Sequence, residues 1–358
     1  MITTTVDPEK VTTLKQPARH QKTTFRYNKE FVLESGETLP EFHLLYETFG
    51  TLNALKDNVI WIFHALTANS NPLEWWSGLA GAGKLFDPEK HFIVCVNMPG
   101  SHYGSINPLS IDPKTAKPYY HHFPTITPRD MAKMYSLLQH KLGINKIHLG
   151  IGGSMGGMQL LEWNIIAPAL FKNTVLIATN AVHSPWGIAF NETQRMAIES
   201  DATWQQQNKD AGMQGLSTAR AIALLSYRNY NPYKQTQTDA HLNKIHTFKA
   251  GSYQRYQGKK LTQRFNAFSY YSLTKSMDAH NVGRNRGSVT EALKGITANT
   301  LVVGIQSDLL FPIEEQKFLA AAIPNAHFES IDSIYGHDGF LIEYQQLEKI
   351  IRKHVEIS

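Results

Sequence analysis

Ser154 sits in Gly152-Gly153-Ser154-Met155-Gly156, a serine with glycine two positions before and two after it. This G-x-S-x-G pattern is that of a nucleophile elbow, a sharp, strained turn between a strand and a helix that lifts the hydroxyl above a sheet edge. Larger side chains at the flanking positions would collide, which is why glycine stands there. A serine hydroxyl becomes a nucleophile only beside a general base, and the base needs an orienting acid. In chain order such partners follow the serine as an acid and then a histidine. Asp308 is the acid at the tip of the apolar run Leu301–Ile305, and His337 lies in the glycine-flanked loop Tyr335-Gly336-His337-Asp338-Gly339. There are 16 histidines, so any one of them is most often structural, but His337 is the one whose setting suits a base. Its rivals, His64 and His102, lie on loops near the same edge and are expected only to orient or contact a substrate.

The same chemistry needs two amides for the oxyanion. The helix start after the serine offers the N–H of Met155, and the loop that follows Val59–Phe63 offers the N–H of Leu66. No H-E-x-x-H or Cys/His ligand spacing is present, so no metal is expected.

These residues must be carried by strands and helices in alternation. Apolar, β-branched runs at Val59–Phe63, Phe92–Val96, Ile147–Ile151, Thr174–Ala178, Leu301–Ile305 and His327–Ile331 read as strands covered on both faces. Helices are expected at Arg129–Leu142, Met155–Ala167, Ile313–Ala322 and Phe340–His354, and a hairpin at 30–48, with Phe31–Glu34 and Leu39–Tyr46 extended around Ser35-Gly36-Glu37. The alternation predicts an α/β fold with a mostly parallel, doubly wound sheet. Residues 184–290 break the rhythm, being rich in Gln, Asn, Tyr, Arg and Met, and read as a helical lid inserted into a core of 30–183 and 291–358. Residues 1–29, Thr- and Lys-rich, are expected to form a loose arm without the apolar segment of a signal peptide.

Composition narrows the class further. The 358 residues are 42% hydrophobic and 18% charged, ordinary for a soluble globular protein, and no run is apolar enough to span a bilayer. The formal charge of +5 suits anionic small ligands and is too small to imply nucleic acid. The lone cysteine, Cys95, lies within an apolar run, so it is read as buried and inert, no disulfide is available, and the cytoplasm is the expected compartment.

Read together, Gly-Gly-Ser-Met-Gly-Gly-Met-Gln-Leu-Leu-Glu-Trp from 152, His-Ala-Leu-Thr from 64, Ser-Asp-Leu-Leu-Phe-Pro from 307 and Tyr-Gly-His-Asp-Gly-Phe from 335 resemble the homoserine O-acetyltransferase family. Arg255-Tyr256-Gln257-Gly258, Tyr270 to Asp278 and Val282-Gly283-Arg284 extend the resemblance, which covers residues 30 to 350. It implies an α/β-hydrolase fold with a helical lid, usually dimeric through that lid, acting in methionine biosynthesis. The implied reaction moves an acetyl group from acetyl-CoA, as co-substrate, to the hydroxyl of L-homoserine, with no permanently bound cofactor. The family's triad falls on Ser154, Asp308 and His337, and its oxyanion amides on Leu66 and Met155. Its homoserine-recognising arginine and tyrosine fall on Arg220 and Tyr227, seven residues apart and so on one face of a helix. Asp338 matches the acid that takes the substrate ammonium. A guanidinium for a carboxylate and a carboxylate for an ammonium is what a zwitterionic amino acid requires.

Two loops depart from the family's usual wording, Ala68-Asn69-Ser70-Asn71-Pro72 with Trp75-Trp76 behind it, and Met98 to Ser105. Both would border the acyl group, so succinyl-CoA as donor, or serine as acceptor, stays open at this point. A plain serine esterase needs only the triad, but a polar lid bearing Arg and Tyr is unlike the apolar lids of lipases. A non-catalytic binding protein would have no reason to keep Ser, Asp and His in this order.

Overall fold

The computed structural model describes residues 19–241 and 243–357, so most of the expected N-terminal arm, residues 1–18, lies outside the described residues. An eight-stranded sheet organises the chain. Its strands are β1 (His20–Tyr27), β2 (Phe42–Phe49), β3 (Val59–Phe63), β4 (Phe92–Val96), β5 (Ile147–Gly153), β6 (Phe171–Ile177), β7 (Asn299–Ile305) and β8 (Ala326–Ile331). The order across the sheet is β1-β2-β4-β3-β5-β6-β7-β8, antiparallel in its first two pairings and parallel from β4 to β8.

The run Val59–Phe63 shows why the central strands carry no polar alternation. Val59, Trp61 and Phe63 join a core on one face, while Ile60 and Ile62 join a second core on the other. Successive side chains point to opposite faces, so burial of both faces demands an uninterrupted apolar run. The first core is closed by α1 (Pro128–Leu142) and α2 (Met155–Ile166), with Trp163 of α2 edge-on to Trp61 at 4.8 Å. Helix α1 starts on a capping box, in which Thr127 and Asp130 satisfy each other's backbone amides, and stops at Gly143 with φ 65°. The second core is closed by the last helix (Tyr344–His354), through Leu347 and Ile351, and by Trp76, Leu79 and Phe86.

Between β6 and β7 the chain forms α3 (Pro185–Glu199), α4 (Met213–Tyr227), α5 (Tyr230–Gln237), α6 (Lys249–Thr262), α7 (Ala267–Asp278) and α8 (Val289–Lys294). Helix α4 packs on α3 and α6, and α7 packs on α3. The segment's return to the core is fixed by Arg129 of α1. Its guanidinium donates to the carbonyls of Asn281 and Arg284 and pairs with Glu34 at 2.6 Å and Glu162 at 3.0 Å. After β7 come α9 (Ile313–Ala322), β8, a 3-10 turn at Gly336–Leu341 and α10 (Tyr344–His354).

Four expectations need correction. Residues 20–27 are not part of a loose arm but form edge strand β1, in register with β2 from His20 opposite Phe49 to Tyr27 opposite Phe42. Only Phe25 and Tyr27 of that strand are even half-buried, so its apolar signal is faint. The expected strand Leu39–Tyr46 is broken at Pro40, which has no N–H to donate. Leu39 ends a short ladder with Phe31, and Phe42 starts β2. The final helix begins at Tyr344 rather than Phe340, because the preceding residues form the 3-10 turn that holds His337. The boundary drawn after residue 290 falls inside α8.

Candidate active site

Strand β5 runs directly into the turn at Ser154, whose φ of 55° and ψ of −127° lie where L-residues other than glycine are strained. Its neighbours hold it there. The Ser154 N–H donates to the Ile177 carbonyl of β6 at 2.9 Å, and the Ser154 carbonyl accepts from the Thr179 hydroxyl at 2.9 Å. The flanking glycines are demanded by contact with backbone: a Cβ on Gly156 would lie 2.2 Å from the Phe63 carbonyl oxygen, and one on Gly152 would lie 2.6 Å from the Gly156 carbonyl. The end of β3, the turn and the start of α2 are thus pressed together with no room for a side chain between them.

Asp308 lies just past the end of β7. Its Oδ1 accepts from the backbone N–H groups of Leu310 and Phe311 at 2.8 and 2.9 Å. The other oxygen, Oδ2, accepts from Nδ1 of His337 at 2.6 Å. This fixes the histidine's tautomer, leaving Nε2 to accept a proton. The His337 ring is stacked on Phe311, with centroids 5.0 Å apart, and has Phe340 and Tyr227 at 5.5 and 5.8 Å. Packing on three sides leaves the imidazole little rotational freedom.

Ser154, His337, Leu66, Arg220, Tyr227 and Asp338 all line one cavity of about 670 Å³. Leu66 and Thr67 are the central residues of a β-turn closed by the Ala68 N–H on the Ala65 carbonyl at 3.0 Å. Met155 is the first residue of α2, where helix amides have no partner four residues back. Among the described residues, neither the Leu66 nor the Met155 N–H has a protein acceptor. Two amides without a protein acceptor among the described residues are thus on offer, one in a turn that lines the cavity with Ser154 and one at the helix start that follows the serine.

Arg220 lies with its guanidinium 5.4 Å from the centre of the Tyr227 ring, and it makes no ion pair among the described residues. Burial pushes the Tyr227 phenol above its ordinary value near 10, against a smaller opposite pull from Arg220, so it remains a neutral hydroxyl at physiological pH. Asp338 is not free: its Oδ2 accepts from Nε of Arg228 at 2.8 Å, and the Arg228 guanidinium lies over Tyr335 at 5.5 Å.

Arg228 was not singled out from the sequence, although it follows Tyr227 directly, because a pairing over 110 residues leaves no local signal. Arg264 was missed too. It lines the same cavity from the segment between α6 and α7 and donates to the Thr67 carbonyl at 2.6 Å. The rival histidines face elsewhere. His64 is buried and held by backbone through both ring nitrogens, and burial lowers its pKa to about 4. His102 accepts from the Asn266 amide at 2.7 Å. Cys95 is buried and its thiol is pushed up by burial, as an inert thiol would be. Among the described residues no group of three or more His, Cys, Asp or Glu side chains is placed to hold a metal, and no helix is long and apolar enough to cross a membrane.

Comparison with known proteins follows the same lines. Residues 58–344 match the alpha/beta hydrolase fold family. The chain is 52% identical over 320 residues to the homoserine O-acetyltransferase of Cyclobacterium marinum, covering 89% of this chain and 91% of that protein. It is 43% identical to that of Chloroherpeton thalassium, covering 92% and 88% respectively. Its fold superposes on the crystal structure of homoserine O-acetyltransferase from Bacillus anthracis with a TM-score of 0.86 at 25% identity, covering 96% of this chain and 99% of the other. By sequence and by fold, the chain belongs to the homoserine O-acetyltransferase family of α/β-hydrolase-fold proteins.

Proposed function

We propose that the protein transfers the acetyl group of acetyl-CoA to the hydroxyl of L-homoserine through an acetyl-Ser154 intermediate, giving O-acetyl-L-homoserine for methionine biosynthesis. The observation that carries this reading is the sharing of one cavity by Ser154, the Asp308-paired His337 and Arg220, which has no acid partner among the described residues.

The reaction is a double displacement. Nε2 of His337 takes the Ser154 proton as the hydroxyl oxygen attacks the thioester carbonyl, and Asp308 stabilises the imidazolium through the 2.6 Å bond to Nδ1. The negative oxygen of the tetrahedral intermediate is held by the Leu66 and Met155 amides, each worth on the order of 3 kcal/mol in comparable sites. The C–S bond breaks, the CoA thiolate leaves with the proton from His337, and Ser154 carries the acetyl ester. Homoserine then enters, its hydroxyl gives its proton to His337 and attacks the ester, and Ser154 is regenerated. The amino acid's carboxylate is taken by Arg220 with the Tyr227 hydroxyl beside it. Its ammonium goes to Asp338, which must then share its charge between the ligand and Arg228.

Acetyl as the acyl group is supported by the acetyltransferase names of the relatives, at 52% and 43% identity. A succinyl donor would bring a further carboxylate towards the same cavity. A homodimer through the inserted helices is supported by the exposed Leu225, Tyr230, Phe248 and Tyr256, which sit on or beside neighbouring helices of that segment. The cytoplasm suits a chain that uses CoA thioesters and has a single buried thiol.

Thiol release from acetyl-CoA and from succinyl-CoA, each with and without homoserine or serine, tests the reading. Turnover should require acetyl-CoA and homoserine together. Acetyl-CoA alone should load one acetyl group on the peptide bearing Ser154, seen by mass analysis. Equal turnover without an acceptor would make the protein a hydrolase, and acetylation at another residue would remove Ser154 from its role.

A further inference from the structure

His64 is a buried histidine with no part in the double displacement, yet it sits where β3 ends and the turn carrying Leu66 begins. Its Nε2 lies 3.0 Å from the Met98 backbone nitrogen. An amide N–H can only donate, so Nε2 accepts, and the ring proton must be on Nδ1. Nδ1 in turn lies 2.9 Å from the Ala65 carbonyl oxygen and donates to it. That oxygen also accepts from the Ala68 N–H at 3.0 Å.

The consequence falls on the neighbouring atom. The Ala65–Leu66 peptide is trans, so its C=O and N–H point in opposite directions. With the carbonyl turned inward to two donors, the Leu66 N–H is turned the other way, and Ala65 and Leu66 both border the cavity. The backbone of His64 also lies close against the start of α2: a Cβ on Gly156 would lie 3.1 Å from the His64 carbonyl oxygen and 2.2 Å from that of Phe63. The helix start bearing the Met155 amide and the turn bearing the Leu66 amide therefore meet at His64.

We propose that His64 is a positioning residue whose Nδ1–H, through the Ala65 carbonyl, aims the Leu66 amide at the oxyanion. This rests on the reading of that amide as an oxyanion donor. The histidine serves because it is a rigid bridge with a donor on one edge and an acceptor on the other, joining the turn to the backbone that follows β4 at Met98. Being deeply buried, it stays neutral across the working pH range, so the bridge does not reverse with protonation.

The two halves of the bridge can be removed one at a time. In His64→Asn the side-chain amide reaches about as far as Nδ1 and can still donate to the Ala65 carbonyl, while the acceptor for Met98 is lost. In His64→Gln the amide reaches to the Nε2 position and can still accept from Met98, while the donor to Ala65 is lost. Removal of one oxyanion donor costs about 10²–10³ in rate. The rate of Ser154 acetylation by acetyl-CoA should accordingly fall about 100-fold in His64→Gln with KM for the thioester nearly unchanged, and by less than about tenfold in His64→Asn.

A fall in both variants that follows their loss of stability, or a smaller loss in His64→Gln than in His64→Asn, would overturn the proposal. Should either variant fail to fold, nitrogen-15 histidine NMR of the wild-type protein decides. The His64 ring should show a protonated Nδ1 and a bare Nε2, should not titrate between pH 5.5 and 8.5, and should shift its Nδ1 proton when a phosphonate ester loads Ser154 and places an anionic oxygen between the two amides. The opposite tautomer, or an unmoved Nδ1 proton on phosphonylation, would overturn it. Failure of the wild-type protein to acetylate Ser154 would instead refute the proposed function and leave the tautomer untouched, so the two failures are distinguishable.

Discussion

Replacing Arg220 by alanine should separate the two half-reactions. In the structure the guanidinium lies 5.4 Å from the Tyr227 ring centre, lines the cavity and meets no carboxylate among the described residues. Its contribution to folding is then little more than a cation–π contact, about 0.5–1 kcal/mol, and Arg220→Ala should unfold nearly as the wild type does. Its contribution to the acceptor is larger. Truncating one partner of a desolvated, charge-assisted contact costs about 2–5 kcal/mol. Here the lower half of that range applies, since the cavity is open to water and Arg228 remains on its wall. The expected loss is about 3 kcal/mol, on the order of 150-fold in kcat/KM for homoserine. Acetyl-enzyme formation, read as a burst of CoA release without acceptor, should stay within about threefold of wild type, because an acetyl group carries no charge for Arg220 to meet. Arg220→Lys should recover only part of the loss, as a point charge cannot make the paired bonds of a guanidinium on a carboxylate. If burst and turnover fall in parallel, Arg220 serves the thioester or the fold, and the assignment of the acceptor carboxylate is wrong.

Strain at the nucleophile should be visible in stability. Ser154→Gly relieves a φ of 55°, worth about 1–3 kcal/mol, against about 0.5–1 kcal/mol of added chain entropy, so in urea it should be about 1 kcal/mol more stable than the equally inactive Ser154→Ala; equal midpoints would refute the strain. Acid should destabilise the protein through His64, His183 and His280, whose pKa values burial lowers to about 4, 3 and 4, so the stability they contribute is present above pH 6.5 and lost as pH falls towards 4. Glu315, raised by burial to about 7, has the opposite sign between pH 4.5 and 7. From these four groups unfolding near pH 5.5 takes up about two protons, and Glu315→Gln should steepen the pH dependence towards three protons in pH-dependent urea titrations. Finally, prolonged treatment with a chelator should leave turnover unchanged; loss of activity restored by one metal ion would contradict a mechanism built on Ser154, His337 and Asp308.

What could be read from the chain alone depended on how local the signal was. The strand Val59–Phe63 was legible because burial on both faces writes itself into consecutive residues. The turn at Ser154 was legible because backbone contact excludes every residue but glycine at 152 and 156. Edge strand β1 was not, since its stability comes from backbone pairing with β2 and only two of its side chains reach the core. The partner of Asp338 could not be read either. Arg228 and Asp338 are neighbours only because the end of α4 is laid against the turn holding His337, where Gly336 adopts φ 60° and a Cβ there would lie 2.8 Å from the Tyr227 carbonyl. The role of His64 was legible only as a choice among loop histidines, because its two bonds go to backbone atoms that carry no sequence identity.

That pairing bears on how an acyl-enzyme of this kind can wait for an amino acid rather than for water. Between the half-reactions the acetyl ester stands in a cavity with no acceptor, and a bare carboxylate there would be hydrated and bring water to the ester. With Arg228 already on Oδ2, Asp338 is neutralised before the acceptor arrives and needs no ordered water on that oxygen. Two guanidiniums on the cavity wall, those of Arg220 and Arg264, meet no carboxylate among the described residues; Arg264 is held by the Thr67 carbonyl, while Arg220 is set against the face of Tyr227, which a guanidinium tolerates with a weak hydration shell. A zwitterion entering this cavity adds no net charge. On the proposed reading its carboxylate would answer the Arg220 guanidinium, which meets no carboxylate among the described residues, and its ammonium would join the Asp338 oxygen that Arg228 does not hold, so binding would complete both arrangements. Water can do neither, and on this reading the preference for transfer over hydrolysis comes from charges that only an amino acid completes, with His337 and Ser154 indifferent to which hydroxyl they meet.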